Sequence, residues 1–431
     1  MFTKQTINDV DLRGKFVLLR ADYNVPLDKD GNITSDYRIK QSLPTIMALK
    51  DAGCKIVICS HLGRPTGPDD KSCSLKPIAK RLSELLGEEV MFLPDCVGDA
   101  TKQATAGLQN GQVALVQNLR YYKEEEQNNE DFARVLVQDT NAELFVQDGF
   151  GVVHRAHAST DAITHFLPAV SGLLLEREVD TITNVMSNPD RPLMAIIGGA
   201  KIADKIEIIH IFLDIADVVV IGGAMANTFL LAQGIKVGDS LVDKDDLFTA
   251  KEIIQKAQKI ATERPFTFYL PQDGVVATDI SKTAKTRIVD WDAHVIADIE
   301  AYPKAVKAEA SKVAPHEKIL DIGPFSGAFI AGAMQLCKTV VWNGTMGVTE
   351  TVGLQGPVGP FAHGTELVID GLLGSHGNKP FSVLGGGDTT AYIEERKLTD
   401  MFRHVSTGGG ASLELMAGKI LPGVASLLDK D

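Results

Sequence analysis

The sequence predicts an α/β protein built from two doubly wound, parallel-sheet (Rossmann-like) domains. Three observations carry this prediction: a length of 431 residues, ten short apolar runs rich in β-branched residues, and helical periodicity in most of the segments between those runs. A length of about 150 residues per domain suggests two or three domains. Strands that alternate with helices form parallel sheets covered on both faces. Ten strands are too many for one compact sheet of this kind, so we expect two sheets with a cleft between the domains.

The predicted strands follow one another along the whole chain. They begin at Phe16, Lys55, Val113, Glu143, Leu193, Asp217, Phe266, Lys318, Thr339 and Phe381. Segments such as "LKPIAKRLSELL" and "DKIEIIHIFLDIA" have the periodicity of helices that cover such sheets. The stretch "GLLLEREVDTITNVMSN" is predicted as one long amphipathic helix, which ends at the two prolines of "NPDRP". We therefore expect an N-terminal domain at 1–172, a connecting helix at 173–188 and a second domain at 189–404.

The composition excludes several classes of partner. The formal net charge of −13 argues against a nucleic acid or an anionic membrane as a partner, because both attract cationic proteins. The five cysteines are odd in number and lack CxxC spacing, which favours reduced thiols in the cytoplasm over disulfides or a zinc site. The N-terminus lacks the apolar core of a signal peptide. The most apolar window, "VVVIGGAMANTFLLA", contains Asn227 and is too short to span a bilayer.

Polar clusters follow the predicted strands of the first half. Ligands of open parallel sheets bind at the carboxyl ends of the strands. The cluster of the first half comprises Arg20, Arg38, His61, Arg64, Arg120, Arg155 and His157, together with Asp22 and Asn24. Arginine forks match carboxylate and phosphate oxygens, so this set predicts a pocket for a small molecule with several negative charges. Surface ion pairs are the alternative for any single arginine, and a metal pair in "HRAH" is disfavoured because no further ligand set is present.

The second half has glycine-rich turns where the first half has arginines. Such turns let backbone N–H groups approach phosphates, and a nearby carboxylate can hold Mg²⁺. In "GGAKIADKI" we expect Lys201 and Lys205 on one face of a helix opened by Gly198 and Gly199, about 5–6 Å apart. A cation in a first helical turn is unfavourable, which is easier to explain if an anion binds there. No P-loop motif occurs, and the absence of GxGxxG disfavours a nicotinamide dehydrogenase.

Eight motifs together resemble the phosphoglycerate kinase family, in that family's order from Arg20 to Lys419. They are "RADYNVPL", "SHLGRP", "NLRYYKEE", "FGVVHRAH", "GGAKIADKI", "VVWNGTMGVTE", "GGGDTT" and "STGGGASLELMAGK". The resemblance implies reversible phosphoryl transfer from 1,3-bisphosphoglycerate to ADP, giving 3-phosphoglycerate and ATP. It also implies Mg²⁺, a monomer, small-molecule substrates only, and hinges at the connecting helix and 403–407. A non-catalytic nucleotide-binding relative is the alternative, which is disfavoured because the charged residues of both sites are present.

The resemblance also implies a role for individual residues. The acid would contact Asp22, Asn24, Arg38, His61, Arg64, Arg120 and Arg155. The nucleotide would contact Lys201, Lys205, Gly222, Gly223, Asn343, Glu350, Gly387, Asp388 and Thr389, with Asp388 as the metal ligand. The catalytic set would be Arg38, Lys201, Gly387 and Gly410. The segment 405–431 would return to the N-terminal domain, so that Gly408, Gly409 and Gly410 face the transferring phosphoryl group.

The sequence departs from the family pattern around the expected nucleoside pocket. Thr345 and Thr349 stand where the family usually has Pro and Phe, and Phe325 replaces a residue that is usually polar. The link "TVGLQGPVGPFAHGT" is longer than usual, and "ADIEAYPKAVKAEASKVAPHEK" is an unusual insert. These departures leave the preference for ATP or GTP open.

Overall fold

A computed structural model describes residues 2–291, 312–375 and 377–430. Most of the unusual insert, 297–311, therefore lies outside the described residues. The chain divides into two units. Unit 1 comprises Met1–Asn184 and Thr407–Asp431, and unit 2 comprises Val185–Ser406.

Unit 1 contains one six-stranded sheet. Its strands are β1 Phe16–Arg20, β2 Lys55–Cys59, β3 Val90–Phe92, β4 Val113–Leu115, β5 Leu144–Gln147 and β6 Ala169–Ser171. The helices up to the end of this part of the chain are α1 Tyr37–Asp51, α2 Lys76–Leu86, α3 Asp99–Ala106, α4 Lys123–Glu126, α5 Glu130–Asp139 and α6 Leu173–Ser187. Short 3-10 turns lie at Lys71–Cys73, Leu119–Tyr121, Phe150–Val152 and Ala162–His165.

All the strand pairs of this sheet are parallel, in the order β3-β4-β2-β1-β5-β6. The central strands are apolar along nearly their whole length, because helices cover both faces of the sheet. Val17, Leu19, Ile56 and Ile58 belong to one buried core on which α1 and α2 pack. The chain winds from β1 toward β2 and later continues on the other side of β1 with β5. The loops that follow β1 and β5 therefore diverge, which opens a crevice for a ligand between them.

Unit 2 contains two sheets. Its strands are β7 Leu193–Ile197, β8 Val218–Ile221, β9 Thr267–Tyr269, β10 Asp273–Ala277, β11 Arg287–Asp290, β12 Lys318–Ile322, β13 Thr339–Asn343, β14 Phe381–Gly385 and β15 His404–Val405. Its helices within the described residues are α7 Ile206–Ile215, α8 Met225–Ala232, α9 Leu247–Glu263, α10 Pro324–Met334, α11 His363–Leu373 and α12 Gly387–Glu395. A 3-10 turn lies at Thr399–Met401.

The large sheet of unit 2 is parallel in the order β15-β14-β13-β7-β8-β9. Read from the first strand outward, this is the order common in dinucleotide-binding sheets, whose crevice lies between the first and fourth strands. Those strands are β7 and β13, with Ile197 in register with Asn343. The predicted fold class of two doubly wound parallel sheets is confirmed.

The small sheet corrects one expectation. We expected the strand that begins at Lys318 to join a parallel sheet, but β12 pairs antiparallel with β10, which pairs antiparallel with β11. An apolar run does not reveal its partner strand, and β10, "DGVVA", begins with two residues that are rare in strands. The three-stranded sheet has small cores of its own, one of which contains Val275, Leu320 and Phe361.

The end of the chain folds back onto unit 1. It contains helices α13 Gly409–Met416 and α14 Pro422–Ala425. Gln5 N donates to Leu428 O over 2.7 Å, and Gly423 N donates to Val153 O over 2.9 Å. These bonds tie the last residues of the chain to its N-terminal segment, and α14 to the residue after the 3-10 turn at Phe150–Val152. Within the described ranges, the helices are all too short or too polar to cross a lipid bilayer.

Candidate active site

An ion pair lies at the crevice of the unit 1 sheet. Asp22 follows β1 and is 7% exposed. Arg38, in the first turn of α1, places Nη1 3.2 Å from Asp22 Oδ2 and donates a 2.9 Å hydrogen bond to Asn24 O. Burial raises the pKa of Asp22, but the charge of Arg38 and smaller contributions from neighbouring groups together outweigh that effect and hold the pKa below its ordinary value. The ionised carboxylate therefore orients the Arg38 guanidinium.

The loop after β2 is held from both sides. Asn24 Oδ1 accepts a 2.8 Å hydrogen bond from Gly63 N, and Arg120 Nη1 donates one of 2.9 Å to Gly63 O. Asn118 Nδ2 donates to Leu62 O over 2.7 Å. Such bonds fix the "SHLGRP" loop although its backbone belongs to no strand or helix. His61 is buried at the start of this loop and Arg64 is exposed near its end.

The remaining residues of the predicted acid site differ in exposure. The Arg120 side chain is 8% exposed and its Nε lies 3.0 Å from Glu126 Oε1. Burial lowers the pKa of Arg120, and the nearby charge of Arg155 adds to this effect. Arg155 is exposed and donates from Nε to His154 Nε2 over 3.1 Å. Direct contacts thus connect Asp22, Asn24 and Arg38, and the backbone of Gly63 links Asn24 to Arg120. Arg64 and Arg155 are exposed.

Two basic residues predicted to face the anion are instead buried. Arg20 has no exposed surface, and His157 is 7% exposed. Arg20 Nε donates to Ser159 Oγ over 2.8 Å, and His157 Nδ1 lies 3.9 Å from Glu125 Oε1. Both were grouped with the pocket because they lie near strand ends. Position along a strand does not show which face a side chain occupies.

The glycine-rich start of α13 lies beside this cluster. A Cβ added to Gly408 would lie 2.9 Å from Gly151 Cα, and one added to Gly151 would collide with Asp22 Oδ2. A Cβ on Gly410 would lie 3.3 Å from His154 Nε2. The preceding Thr407 donates from N and from Oγ1 to Glu178 Oε1, over 2.7 and 2.8 Å. Unit 1 therefore brings a helix N-terminus, an anion site by its dipole and free N–H groups, next to Asp22.

In unit 2, glycines let three strand-end loops meet backbone to backbone. A Cβ on Gly198, after β7, would collide with Thr345 O, after β13. Gly223, after β8, has a φ of +65° that favours glycine, and a Cβ there would collide with Gly199 N. Gly222 packs in the same way against the Met346 sulfur. Side chains at these positions would push apart the loops of the unit 2 crevice.

Lys205 is anchored inside these loops. Its Nζ donates to Gly198 O over 2.6 Å and to Asn343 Oδ1 over 2.7 Å. Burial lowers its pKa to about 8, although Asp388 and Asp204 act in the opposite direction. Among the described residues, Asn343 Nδ2 is buried without a hydrogen-bond partner. A buried donor beside a half-buried cation is an arrangement suited to an anionic ligand.

The helical placement of the two lysines is wrong. Helix α7 begins only at Ile206, with Lys205 as its N-cap residue, and Lys201 is exposed in the loop that precedes it. Lys201 is therefore not a cation in a first helical turn, and the helix dipole does not disfavour it there. A spacing of four residues occurs in loops as well as in helices, and periodicity alone does not distinguish the two.

The start of α12 lies at the same edge of the sheet. Gly386 is its N-cap residue with a φ of +92°, and a Cβ on Gly387 would meet open space. Thr389 is buried, and its Oγ1 accepts a 2.8 Å hydrogen bond from Gly344 N. Asp388 is exposed between them. The N–H groups of this helix start are accessible to an anion.

A cavity of about 740 Å³ opens beside these loops. Gly223, Glu350 and Asp388 line it. Its apolar walls include Leu230, Ile280, Trp291, Ile319 and Met346. A ligand with an apolar, planar part and a charged end fits such a cavity, because apolar walls hold the first and few polar groups orient the second.

Several residues of the two sites had no signal in the sequence analysis. The cavity lining also includes Asn227, Asp239, Ser240 and Lys318, which stand in or near apolar runs that indicated only strands and helices. Glu125 and Ser159 lie behind Arg20 and are buried. Three adjacent glutamates in "KEEE" were the available signal for Glu125, because one of three consecutive residues in a short helix can face the interior.

The three kinds of comparison with known proteins agree. The phosphoglycerate kinase family model matches residues 7–419. The chain belongs to the phosphoglycerate kinase family. It is 45% identical to the phosphoglycerate kinase of Gloeothece citriformis over 99% of this chain and 98% of that protein. The enzyme of Moorella thermoacetica is 42% identical, over 99% of this chain and all of that protein. The phosphoglycerate kinase structure from Coxiella burnetii superposes with a TM-score of 0.78 at 33% identity, covering 98% of each chain.

The family establishes the activity. The protein is a phosphotransferase enzyme that moves a phosphoryl group reversibly between 1,3-bisphosphoglycerate and ADP, the reaction of glycolysis that gives 3-phosphoglycerate and ATP. None of the comparisons favours a non-catalytic relative.

Proposed function

We propose that unit 1 binds the phosphoglycerate and unit 2 binds the Mg²⁺-nucleotide, each at the crevice of its own parallel sheet. The observation that carries this proposal is the separation of charges. The oriented cations Arg38 and Arg120 lie in unit 1, and the cavity with an apolar wall lies in unit 2. The acid offers a carboxylate and phosphates, whereas the nucleotide offers an apolar base.

In unit 1, the acid site consists of Asp22, Asn24, Arg38, His61, Arg64, Arg120 and Arg155. Arg38 and Arg120 are held by protein contacts before the ligand binds, so they lose little side-chain entropy on binding. Arg64 and Arg155 are exposed and supply further charge at the entrance. Asp22 orients Arg38, and its carboxylate accepts a hydrogen bond from a hydroxyl of the acid.

In unit 2, the nucleotide phosphates bind Lys201, Lys205, Asn343, Gly387 and Thr389. The base lies along Gly222, Gly223 and the apolar cavity wall, and Glu350 accepts hydrogen bonds from the ribose. Asp388 suits Mg²⁺, which proteins commonly hold through one or two carboxylates together with substrate phosphates. Its carboxylate is exposed on the cavity lining, and no group of three His, Cys, Asp or Glu ligands occurs among the described residues. Mg²⁺ held there would neutralise phosphate charge.

The transfer step needs no base from the protein. An ionised β-phosphate oxygen of ADP forms a bond to the phosphorus of the acyl phosphate, while the bond from phosphorus to the acyl oxygen breaks. The electron pair leaves with the carboxylate of 3-phosphoglycerate, and no proton changes place. Arg38, Lys201, and the N–H groups at Gly387 and Gly410 stabilise the charge on the transferring group, which is the main contribution a protein makes to such a reaction. The two units must bring their ligands together and exclude water.

We further propose that the protein acts in the cytoplasm as a monomer without nucleic-acid or membrane partners. The negative net charge and the five free cysteines, four of which are buried, support this proposal.

A coupled assay tests the assignment of ligands. We expect turnover that requires ATP, 3-phosphoglycerate and Mg²⁺, measured as oxidation of NADH by a coupled dehydrogenase, with GTP run in parallel. If neither ATP nor GTP supports turnover, or if turnover does not change when Mg²⁺ is chelated, the proposal is contradicted. The ratio of kcat/KM for ATP and GTP gives the base preference.

A further inference from the structure

Four buried residues form a continuous chain of hydrogen bonds behind the acid site. Ser159 donates from Oγ to Glu125 Oε1 over 2.6 Å and from N to Glu125 Oε2 over 3.0 Å. Arg20 Nε donates to Ser159 Oγ over 2.8 Å. Arg20 Nη2 lies 3.1 Å from His61 Nδ1. Three of the four are fully buried and His61 is 5% exposed, so solvent does not compete for these bonds.

The last bond determines where the His61 proton lies. A guanidinium has only hydrogen-bond donors and remains charged at all accessible pH values. Nδ1 of His61 must therefore be the acceptor, without a proton, and the single proton of the neutral ring must lie on Nε2. In a protonated ring, the N–H at Nδ1 would point at an N–H of Arg20, and the two donors would repel each other.

The surroundings of His61 favour the same state. Burial lowers its pKa well below the ordinary value, and Arg20, Arg120 and Arg38 lower it further, with Asp22 alone acting in the opposite direction. These groups come from the end of β1, from α1 and from the 3-10 turn after β4. The ring is therefore neutral near neutral pH.

Arg20 does not itself contact the acid. Its side chain has no exposed surface. Each of its three guanidinium nitrogens has a partner in the protein, since Nη1 donates to Ala21 O. The carboxyl of Glu125 lies one hydroxyl away, where burial raises its pKa and the charge of Arg20 acts in the opposite direction. Arg20 can therefore act on the acid only through another residue.

We propose that Arg20 is a positioning residue that holds His61 as the neutral tautomer with its proton on Nε2, so that His61 binds the phosphoglycerate as a hydrogen-bond donor and not as a cation. The inference rests on the proposed binding of the acid in unit 1. It assigns Glu125 and Ser159 the task of fixing the Arg20 fork.

Nitrogen NMR of the histidine rings tests the tautomer directly. In the wild-type protein labelled with ¹⁵N-histidine, and with the signals of His61 assigned from their loss in His61→Gln, we expect a bare, pyridine-type Nδ1 and a protonated, pyrrole-type Nε2. Both signals should stay constant from about pH 6 to about pH 8. A protonated Nδ1, or a ring that titrates in this range, would overturn the proposal whether or not any variant folds.

Variants test whether Arg20 is the cause. In Arg20→Met we expect the two tautomers to mix and the ring to titrate, so that the KM for 3-phosphoglycerate rises by about tenfold at pH 8, the scale of one lost hydrogen bond, and becomes dependent on pH. We expect kcat to change much less. Arg13→Met, at an exposed arginine paired with Asp11, is the matched control and should retain the wild-type signals. A wild-type tautomer in a folded Arg20→Met protein would refute the role of Arg20.

The same spectra separate this inference from the function on which it rests. Addition of 3-phosphoglycerate should shift the Nε2 signal of His61. If the expected tautomer is present but the ligand shifts no His61 signal, the placement of the acid fails, and with it the purpose that we assign to the tautomer. If the ligand shifts a ring that carries its proton on Nδ1, the placement holds and the role of Arg20 fails.

Discussion

At the scale of single residues, the same charge has different uses depending on its surroundings. Arg38 is partly exposed and paired with Asp22, so it presents an oriented cation to a ligand. Arg20 is fully buried and holds other residues. Lys205 is half-buried, has no carboxylate in direct contact among the described residues, and donates its N–H groups to backbone carbonyls. Its charge is therefore the one most easily lost.

Replacing Arg38 tests the preorganised cation. We expect Arg38→Ala to lower kcat by at least ~100-fold, the scale for losing one preorganised charge donor, while the affinity for nucleotide stays nearly unchanged because Arg38 lies in the other unit. Steady-state kinetics and calorimetric titration with ADP measure the two quantities. Arg13→Ala is the control. A kcat within threefold of wild type would remove Arg38 from the proposed role.

The charge of Lys205 predicts a dependence of nucleotide affinity on pH. Burial lowers its pKa to about 8, so the cation is present below that pH and is lost above it. The affinity of the free protein for ADP should therefore fall as pH rises through about 8, by up to about tenfold per pH unit. Calorimetric titrations between about pH 7 and about pH 9.5 measure the slope.

A variant identifies the responsible group. Lys205→Arg keeps its charge in this range, so its affinity should not follow the wild-type slope. Lys259→Arg, on the exposed face of α9, should follow that slope. If Lys205→Arg loses affinity as the wild type does, another group titrates.

At the scale of secondary-structure elements, the start of the long helix α6 depends on one buried carboxylate. Asp148 follows β5, has no exposed surface, and accepts hydrogen bonds from Leu174 N and Leu175 N over 2.9 and 3.2 Å. Within the described part of the chain, its Oδ2 has no partner. Burial raises its pKa to about 7, although Thr45 and the helix N–H groups act in the opposite direction.

This raised pKa predicts how stability changes with pH. The unfolded carboxyl loses its proton near pH 4 and the folded one near pH 7, so between these values the folded state binds more protons and stability falls as pH rises. Asp148→Asn removes this penalty and keeps an acceptor for the helix. We expect the variant to be more stable than wild type at pH 8, by up to a few kcal/mol, with the difference vanishing toward pH 4.

Urea unfolding at the two pH values measures the difference. Far-UV circular dichroism is the suitable probe, since both tryptophans, Trp291 and Trp342, lie in unit 2 and report little about unit 1. A variant that is less stable than wild type at pH 8 would show that the charge of Asp148 stabilises the helix more than its burial costs.

At the scale of the whole molecule, the proposed function assigns one ligand to each unit. Unit 1 includes the end of the chain, whereas unit 2 is continuous in sequence. A ligand stabilises the folded unit that binds it, by about 3 kcal/mol at a concentration of 100 times Kd.

Hydrogen exchange measured separately with each ligand tests this division. 3-Phosphoglycerate alone should slow exchange in 1–184 and 407–431, including the start of α13, and ADP alone should slow exchange in 185–406. The expected size of the effect is about 100-fold in the slowest amides at saturating ligand. Protection of the same unit by both ligands would contradict the division of labour.

Part of this protein follows from the sequence by itself. All ten predicted strands exist, because buried parallel strands leave apolar runs that need no partner to be recognised. Once the strands are recognised, the polar residues at their carboxyl ends can be read from the sequence. The motifs from Arg20 to Lys419 indicated the family. Five strands escaped prediction, namely β3, β6, β10, β11 and β15. Four of them have only two to four residues, which carry too little periodicity, and β10 begins with Asp and Gly, which are rare in strands.

Only the tertiary structure decided what each charge faces. Arg20 meets Ser159 and His61, which are 139 and 41 residues away, and Thr407 meets Glu178 from 229 residues away. It also placed Lys201 in a loop and β12 in an antiparallel sheet. Local periodicity determines where strands and helices occur, because it depends on neighbours along the chain. Burial, partners and pKa depend on residues that are distant in sequence, and no local pattern records them.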